Sequence, residues 1–425
     1  MTALAVAARR MFSSLRVHNY RLYLSGQAIS LAGTWMQSVA QGWLILELTG
    51  SGTAIGLVLA LQFLPVLLFG PLGGVLADRF DKRRLIFITQ FAAGTLATTL
   101  GLLVLFDVVR IWMVYAVAAA LGFVNLVDNP TRQTFIFEMV GPDQLTNAVS
   151  LHSVLVNVAR VVGPAVAGAL ILTVGLAPCF LINGASYLAV ITALAAMRAA
   201  ELRPSPRQPR RRGQLREGLR YVARAPALLT PLLMMAVIGT LTYEFQVVLP
   251  VLARYTFGGD AGTYSTMTAC MGAGAVVGGL LTAAAGRRRP TALALSAVAF
   301  GTVQLATALA PHLWLALAFL VLTGAASISF MSLGNATLQL SSAPEMRGRV
   351  MALWTVAFLG STPVGGPLVG WIAEHLGPRY GLGVGGLAAL LSGLLAYRVL
   401  LRRAAPRPEA APAEADVSPG SLTPR

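Results

Sequence analysis

Three ionisable side chains lie within long apolar runs of this 425-residue chain. Glu244 and Arg160 each fall well inside a stretch long enough to cross a membrane, and Asp128 lies near the end of another. An ionisable group within a hydrocarbon layer is costly, and it usually marks an ion or substrate pathway, a proton relay or a buried polar contact. These three residues are therefore the first candidates for chemistry.

Glu244 has the properties of a proton carrier. It is the one acidic residue well inside an apolar run after residue 226. Burial favours the protonated form of a carboxyl group and hydration favours release of the proton, which is what a coupling site requires. The alternative is that Glu244 is a structural partner of a polar neighbour. Asp128 is the second proton-coupling candidate, and its alternative is an interfacial ion pair with a nearby arginine.

Arg160 is the one basic residue deep inside an apolar run. It lies about 14 residues into that run, roughly 21 Å along a helix, near the expected middle of a membrane. Asn157 and Pro164 share its helical face at i−3 and i+4. We expect Arg160 to bind an anionic group or a buried acidic side chain, and the alternative is a structural hydrogen bond between helices.

Polar and aromatic side chains in the same runs indicate a mostly apolar cavity with a few polar groups. Such a lining suits a bulky amphiphilic molecule better than a simple sugar or an ion. The candidates for the substrate cavity are Arg160, Asn157, Gln37, Ser38, Gln41, Gln62, Tyr243 and Gln246.

The sequence offers little for enzyme chemistry. It has no catalytic triad pattern and no glycine-rich loop followed by Lys-Ser/Thr that would bind a nucleotide phosphate. The four histidines lack metal-ligand spacing, and the two cysteines are too few for a disulfide framework. We therefore expect neither an enzyme, nor a metal site, nor a cofactor.

The elements that position these residues are membrane helices. Mean hydropathy is +0.71 and charged residues make up only 11% of the chain. A bilayer core is crossed by about 20 apolar residues in a helix. The sequence predicts an all-α membrane protein with twelve spans, at about 22–46, 51–77, 85–106, 111–131, 146–174, 178–197, 227–252, 262–285, 291–310, 313–340, 346–373 and 380–401.

The distribution of basic residues predicts the orientation. With both termini inside, 28 of the 32 Lys and Arg residues fall on cytoplasmic segments, and Arg110, Arg254 and Arg379 fall on outer loops. Cytoplasmic loops of membrane proteins carry such an excess. Topology thus accounts for the net charge of +16, and no nucleic-acid partner is expected. The predicted location is the cytoplasmic (inner) membrane.

The chain divides into two similar halves. "AGTWMQS" at 32–38 resembles "IGTLTYE" at 238–244, and "VVGPAVAGAL" at 161–170 resembles "VGGPLVGWI" at 364–372, at nearly constant offset. Duplicated helical halves are typical of secondary transporters, with the substrate between them. The predicted parts are a cytoplasmic lead (1–21), a six-helix bundle (22–197), a basic linker (198–226), a second six-helix bundle (227–403) and a disordered cytoplasmic tail (404–425).

The linker itself has a helical pattern in its second part. Leu215, Leu219 and Val222 follow i, i+4, i+7 spacing, with arginines to the side. This pattern favours a short amphipathic helix on the inner membrane surface. The alternative is a disordered basic linker.

The charged turn "GGVLADRFDKRR" (73–84), after the second span, resembles the loop between spans two and three of the major facilitator superfamily. The segments 18–51, 129–140 and 217–222 are similar to its twelve-span efflux branch, which includes enterobactin exporters and macrolide efflux proteins. The resemblance covers residues 13 to 403. It implies the major facilitator fold and a proton-driven exporter of small, often amphiphilic molecules, including drugs.

Span five carries part of the superfamily's antiporter pattern. Gly163, Pro164 and Gly168 match it, while small residues replace the pattern's other glycines. The resemblance favours antiport. The alternative is a helix-packing motif without meaning for direction.

The resemblance also implies a conformational latch at the charged turn. It implies that Asp78 meets the inner N-terminal end of span eleven, across the interface between the two halves. The latch residues are Gly74, Asp78, Arg79, Arg83, Arg132 and Glu345, with Arg132 as a candidate partner of Asp78. Such contacts form only when the inner ends are together, so they would stabilise an outward-facing state. The alternative is that the turn is a topology signal alone.

These observations predict a secondary active transporter that exports a drug-like compound or a siderophore by proton antiport with alternating access. Its expected partners are the lipid bilayer, a small-molecule substrate and protons, and it is expected to be a monomer. The alternatives are an importer or a lysophospholipid flippase of the same fold. A non-transporting membrane receptor is a further alternative, which the short outer loops argue against.

Overall fold

The computed structural model describes residues 12–203, 214–284 and 291–404, and this part of the chain is helical throughout with short connections. The all-α prediction is confirmed. Two 3-10 helices lie at Ser13–Arg16 and Ala199–Glu201. The α-helices are α1 His18–Thr49, α2 Gly52–Arg79, α3 Lys82–Leu105, α4 Ile111–Val174, α5 Ala177–Ala196, α6 Gln214–Arg224, α7 Pro226–Leu241, α8 Phe245–Tyr255, α9 Ala261–Ala284, α10 Ala292–Leu309, α11 Leu313–Ser341, α12 Arg347–Leu359, α13 Thr362–His375 and α14 Pro378–Ala404.

Some predictions fall on other parts of the chain. The start of the cytoplasmic lead, residues 204–213 of the linker and the tail from 405 onward lie outside the described residues.

Ten helical segments of the described residues are long and apolar enough to cross a membrane. The more polar α1 is not among them, and α4, with 64 residues, is longer than one crossing requires. Gly141 interrupts α4 with a φ of 70°, and Pro142 follows it. A left-handed φ favours glycine, and proline starts a new helical stretch without needing an N–H partner. The number of twelve spans stays a prediction.

Small residues let the helices pack closely. An added Cβ at Gly73 of α2 would overlap the backbone of Leu126 in α4, and one at Gly274 of α9 would overlap the backbone of Val321 in α11. Helices in lipid associate through such close van der Waals contact, because burial of apolar side chains from lipid gains little.

The two halves meet along two helix pairs. Helix α2 packs against α13, where Gly56 faces Gly366, and α4 packs against α9, where Gly168 faces Ser265. Side chains from all four of these helices line one cavity. The space they enclose is where the candidate site is found.

The linker helix α6 contacts the second half of the chain. Val222 is buried, and Gly218 packs against Arg349 of α12. The Glu217 carboxylate lies 2.9 Å from the Arg349 guanidinium, and Leu219 is exposed. Part of the apolar side of α6 therefore contacts protein, whereas the sequence predicted that it would face the membrane surface.

Candidate functional site: a cavity between the halves

The predicted seventh span is broken where its acidic residue lies. Helix α7 ends at Leu241 and α8 begins at Phe245, so Glu244 belongs to the three-residue interruption between them. The span predicted at about 227–252 matches the segment Pro226–Tyr255, which is long and apolar enough to cross a membrane, but nothing in the sequence indicated the interruption within it. Broken helices are tolerated within a membrane where the freed backbone groups face protein or a cavity.

Side chains from neighbouring helices hold the break in place. Thr242 Oγ1 donates to the carbonyl of Gly385 in α14 at 2.8 Å, and the Tyr243 hydroxyl donates to the carbonyl of Ser327 in α11 at 2.7 Å. The Tyr243 ring packs against Phe300 and Phe358, each with a centroid separation of 5.3 Å. Contacts with α10, α11, α12 and α14 thus stabilise the interruption.

A second break lies beside the first. The predicted eleventh span ends as α12 at Leu359 and resumes as α13 at Thr362, with Ser361 Oγ donating to the carbonyl of Phe358 at 2.6 Å. Two glycines bring the breaks together. An added Cβ at Gly239 would lie 2.8 Å from Ser361 Oγ, and one at Gly365 would lie 2.9 Å from Glu244 Oε1.

Both breaks border a cavity of about 230 Å³ between the halves. Its wall from the first half is formed by Trp35, Leu59, Phe63 and Arg160. Its wall from the second half includes Tyr243, Glu244, Phe245, Gln246, Tyr264, Met271, Phe358 and Thr362. Apart from Arg160 and Glu244 the lining is mainly aromatic and aliphatic, as expected for a site that takes an amphiphilic molecule.

Glu244 is deeply buried in this wall. Only 3% of the residue is exposed, and its Oε1 atom has no hydrogen-bond partner among the described residues. A buried polar oxygen without a donor is unfavourable by comparison with one that is paired. The carboxyl group therefore has free capacity for a proton or for a donor from a ligand.

Arg160 occupies the facing wall. Its guanidinium carbon lies 4.9 Å from the centre of the Trp35 ring, and its buried Nε has no hydrogen-bond partner among the described residues. Gly163 lets α4 approach α1 here, because an added Cβ would lie 2.8 Å from the carbonyl of Ala32. The predicted antiporter-like motif thus begins within one turn of Arg160, where α4 contacts α1.

The predicted glutamines line a second, adjoining cavity. It measures about 160 Å³ and is bordered by Gln37, Ser38, Gln41, Gln62 and Gln246. Trp35 and Gln246 border both cavities. Asn183 Nδ2 donates to Gln37 Oε1 at 2.6 Å, so this amide is held in place. The structure therefore brings most of the predicted polar residues together.

Asn157 departs from this set. Its amide donates to the carbonyl of Ser153 at 2.8 Å on its own helix, the residue is half-buried, and it borders neither of the two cavities. The shared helical face with Arg160 is real, but the cavity ends before it reaches Asn157.

Asp128 lies in a separate polar network within the first half. Its carboxylate accepts from Thr89 Oγ1 at 2.6 Å and from Gln90 Nε2 at 3.1 Å, and it pairs with Arg132. Arg132 also donates to Gln27. Three side chains thus engage this carboxylate within the first half of the chain.

Three of the six residues predicted to form the latch, Asp78, Arg79 and Arg83, border a groove at one face of the molecule, called here the charged face. Arg83 donates to the carbonyls of Leu194 and Ala195 at the end of α5, at 2.9 and 3.2 Å. Arg132, the candidate partner of Asp78, contacts Asp128 and Gln27 in this structure. Gly74 is partly buried near the end of α2, and Glu345 is exposed just before α12.

The opposite face shows contacts that the sequence did not predict. Glu374 of α13 accepts from the Ser51 hydroxyl at 2.5 Å and from the backbone N–H of Thr53 at 3.0 Å, at the start of α2. Arg254 donates to the carbonyl of Leu46, and Tyr255 to that of Gly50. These bonds join the two halves at the opposite face. In the sequence, Glu374 near the end of span eleven and Ser51 before α2 were the signals that could have predicted these contacts.

The chain matches a family model described as transmembrane secretion effector over residues 10–417. It is 28% identical over 373 residues to an MFS-type transporter of Bacillus subtilis, YfiS, covering 83% of this chain and 87% of that protein. It is 25% identical to the enterobactin exporter EntS of Escherichia coli, covering 92% and 94% of the two chains.

Among solved structures it resembles a bacterial homolog of the human lysosomal transporter Spinster, in an inward-facing and unoccupied conformation, with a TM-score of 0.73 at 16% identity, covering 91% of this chain and 98% of that one. At this identity the likeness shows the fold. With the family match, it establishes that the chain belongs to the major facilitator superfamily, in the family of transmembrane secretion effectors, and is a multi-pass membrane transporter rather than an enzyme.

Proposed function

We propose that this transporter exports a small amphiphilic molecule, a drug-like compound or a siderophore, across the cytoplasmic membrane by proton antiport. The observation that carries the proposal is the position of Glu244, a buried carboxyl at a helix break facing the cavity between the halves. The likeness to an enterobactin exporter supports the direction and the kind of cargo.

Glu244 is the proposed coupling group. A carboxyl group sealed from water keeps its proton, and the same group releases it when the cavity hydrates. Because Glu244 lies in the interruption between α7 and α8, movement of either helix changes its surroundings directly. Protonation and conformation are linked in this way, as antiport requires.

Asp128 is the weaker candidate for this role. Its carboxylate is engaged by Arg132, Thr89 and Gln90, so protonation would disrupt several contacts. Asp128 also borders neither cavity. We therefore assign it to holding the first half together.

The proposed orientation puts the charged face in the cytoplasm, with both termini inside, following the distribution of basic residues. The hydrogen bonds from Glu374, Arg254 and Tyr255 then close the external side. This arrangement supports an inward-facing state, in which the cavity receives cargo from the cytoplasm.

The test is Glu244→Gln, which keeps the size of the side chain but removes its proton exchange. In everted membrane vesicles with an imposed pH gradient, the variant is expected to lose uphill uptake of the wild-type substrate, with unchanged expression. A panel of dyes and siderophores, with and without an uncoupler, identifies that substrate. The control is Glu201→Gln, an exposed acid at the charged face.

Uphill transport at the wild-type rate in Glu244→Gln would refute the coupling role. Uptake that runs into intact cells under the same gradient would instead establish an importer. Transport of lysophospholipid without any effect of the uncoupler would establish a flippase.

A further inference from the structure

The cavity between the halves contains one cationic and one acidic side chain that are not paired with each other. Arg160 and Glu244 both line it, and no ion pair within 4.0 Å joins either of them to a described residue. Arg160 Nε and Glu244 Oε1 are each shielded from solvent and have no hydrogen-bond partner in the described part of the chain. A ligand that supplies both partners is therefore favoured.

The two charges lie on different halves and are separately held. Arg160 is fixed on the first half by stacking over Trp35, and Glu244 is fixed on the second half at the break between α7 and α8. The rest of the lining is mainly aromatic and aliphatic, with Phe63 and Phe358 among its members. The cavity thus holds one positive and one negative side chain, from different halves, in an otherwise mainly apolar lining.

We propose that the cargo is a dipolar amphiphile: an aromatic or aliphatic body carrying an acidic group that accepts from Arg160 and an ammonium group that donates to Glu244. This inference rests on the proposed function and names its substrate class. The ammonium group and the proton then compete for the same carboxylate, and such competition is the relation that antiport needs.

The two simpler cargo classes fit less well. A cargo with only an anionic group would bind best when Glu244 is protonated, so cargo and proton would travel in the same direction. A cargo with only a cationic group would leave Arg160 unpaired and would meet its repulsion. The dipolar cargo pairs with both side chains. It also competes with the proton for Glu244, so cargo and proton move in opposite directions.

The test compares three probes that share one aromatic body: naphthylalanine, its amide and its N-acetyl derivative. The amide keeps only the ammonium group, and the N-acetyl derivative keeps only the carboxylate. Equilibrium binding to the purified full chain in nanodiscs at neutral pH is followed by naphthyl fluorescence. The dipolar probe is expected to bind roughly tenfold or more tightly than either analogue, because each analogue leaves one buried partner unpaired.

Two variants assign the two ends of the probe. Arg160→Gln is expected to abolish the preference for naphthylalanine over its amide while retaining the preference over the N-acetyl form. Glu244→Gln is expected to do the reverse. Asn157→Ala, on the same helix face as Arg160 but outside the cavity, is the control that leaves all three affinities unchanged.

The proposal is overturned if naphthylalanine binds no better than both analogues, if it does not bind, or if the variants weaken all three probes equally. The wild-type series decides the question even where a variant fails to fold. Binding is measured without a proton gradient, so loss of coupling and loss of charge recognition are separate results. If the wild-type chain prefers the dipolar probe over both analogues while Glu244→Gln still transports uphill at the normal rate, this inference stands and the proposed coupling role is overturned.

Discussion

The two halves of the transporter carry matching segments but differ in continuity at the cavity. Helix α1 runs unbroken through residues 32–38, whereas the corresponding segment 238–244 ends in the interruption before α8. The same contrast recurs between span five, where α4 continues past Pro164, and span eleven, which is broken before α13. At the cavity, the first half thus has continuous helices and the second half has two interrupted ones.

The contacts of each segment explain this difference. In the first half, Gly33 packs against Asn183, and Asn183 also donates to Gln37, so α1 is held along its length. In the second half, the side chains of Thr242 and Tyr243 are bound by carbonyls of α14 and α11, which hold the segment in its non-helical course. At the cavity, therefore, the half with continuous helices carries the permanently charged Arg160, and the half with interrupted helices carries the titratable Glu244.

The largest effect is expected from Gly163→Val in the first half. The added side chain would overlap the carbonyl of Ala32 and the Trp35 side chain, which belong to a continuous helix and cannot move aside. Overpacking of this kind costs about 1–3 kcal/mol of folding stability. Thermal unfolding in detergent should show a clearly lower midpoint. Gly348→Val in α12 is the matched control, because open space surrounds that glycine, and an equal loss there would contradict the assignment.

The sequence-equivalent glycine of the second half should behave differently. Gly366 packs against Gly56 of the other half, so Gly366→Ala separates the halves at the opposite face while each half stays folded. We expect about a tenfold shift away from the state with that face closed, corresponding to about 1.4 kcal/mol. Spin labels at Phe106 and Leu309, both exposed, report the separation. Gly383→Ala, in open space, is the control, and a lower unfolding midpoint without a distance change would refute this prediction.

A smaller effect is expected from the charged face. If the latch forms in the outward-facing state, Asp78→Asn should shift the population toward inward-facing and slow transport several-fold, because a latch must be worth only a few kcal/mol for the cycle to proceed. Cysteines at Phe80 and Leu340 should then crosslink less across the halves. Unchanged crosslinking and unchanged transport would leave the charged turn as a topology signal.

The smallest effect is expected from Glu374→Gln at the opposite face. The carboxylate accepts from Ser51 and Thr53 at the start of α2, where a negative charge is favoured by the helix dipole. Neutralising it should weaken closure by about 0.3–1 kcal/mol. The spin-label distances should move in the same direction as in Gly366→Ala, but less. Movement toward tighter closure would show that Glu374 opposes it, and Glu201→Gln is the control.

The fold class and the charged residues of the candidate site could be predicted from the sequence. Long apolar runs can be satisfied in lipid only as helices, so the all-α membrane fold and its duplication were readable directly. The cost of charge in lipid singled out Arg160 and Glu244, and both line the cavity. Asn157 borders neither cavity, because sharing a helical face does not tell how far a cavity extends along that face.

The tertiary structure alone decided where the helices break and which groups stay unpaired. Segment 238–244 resembles 32–38, so periodicity gives no sign of a break, which depends on acceptors supplied by Gly385 and Ser327 from distant parts of the chain. In the same way, Asp128 and Glu244 are both isolated acids in the sequence. Asp128 accepts from Thr89 and Gln90 of another helix, whereas Glu244 has no donor at Oε1 among the described residues. Burial and partnership are properties of contacts between helices, and a linear pattern does not contain them.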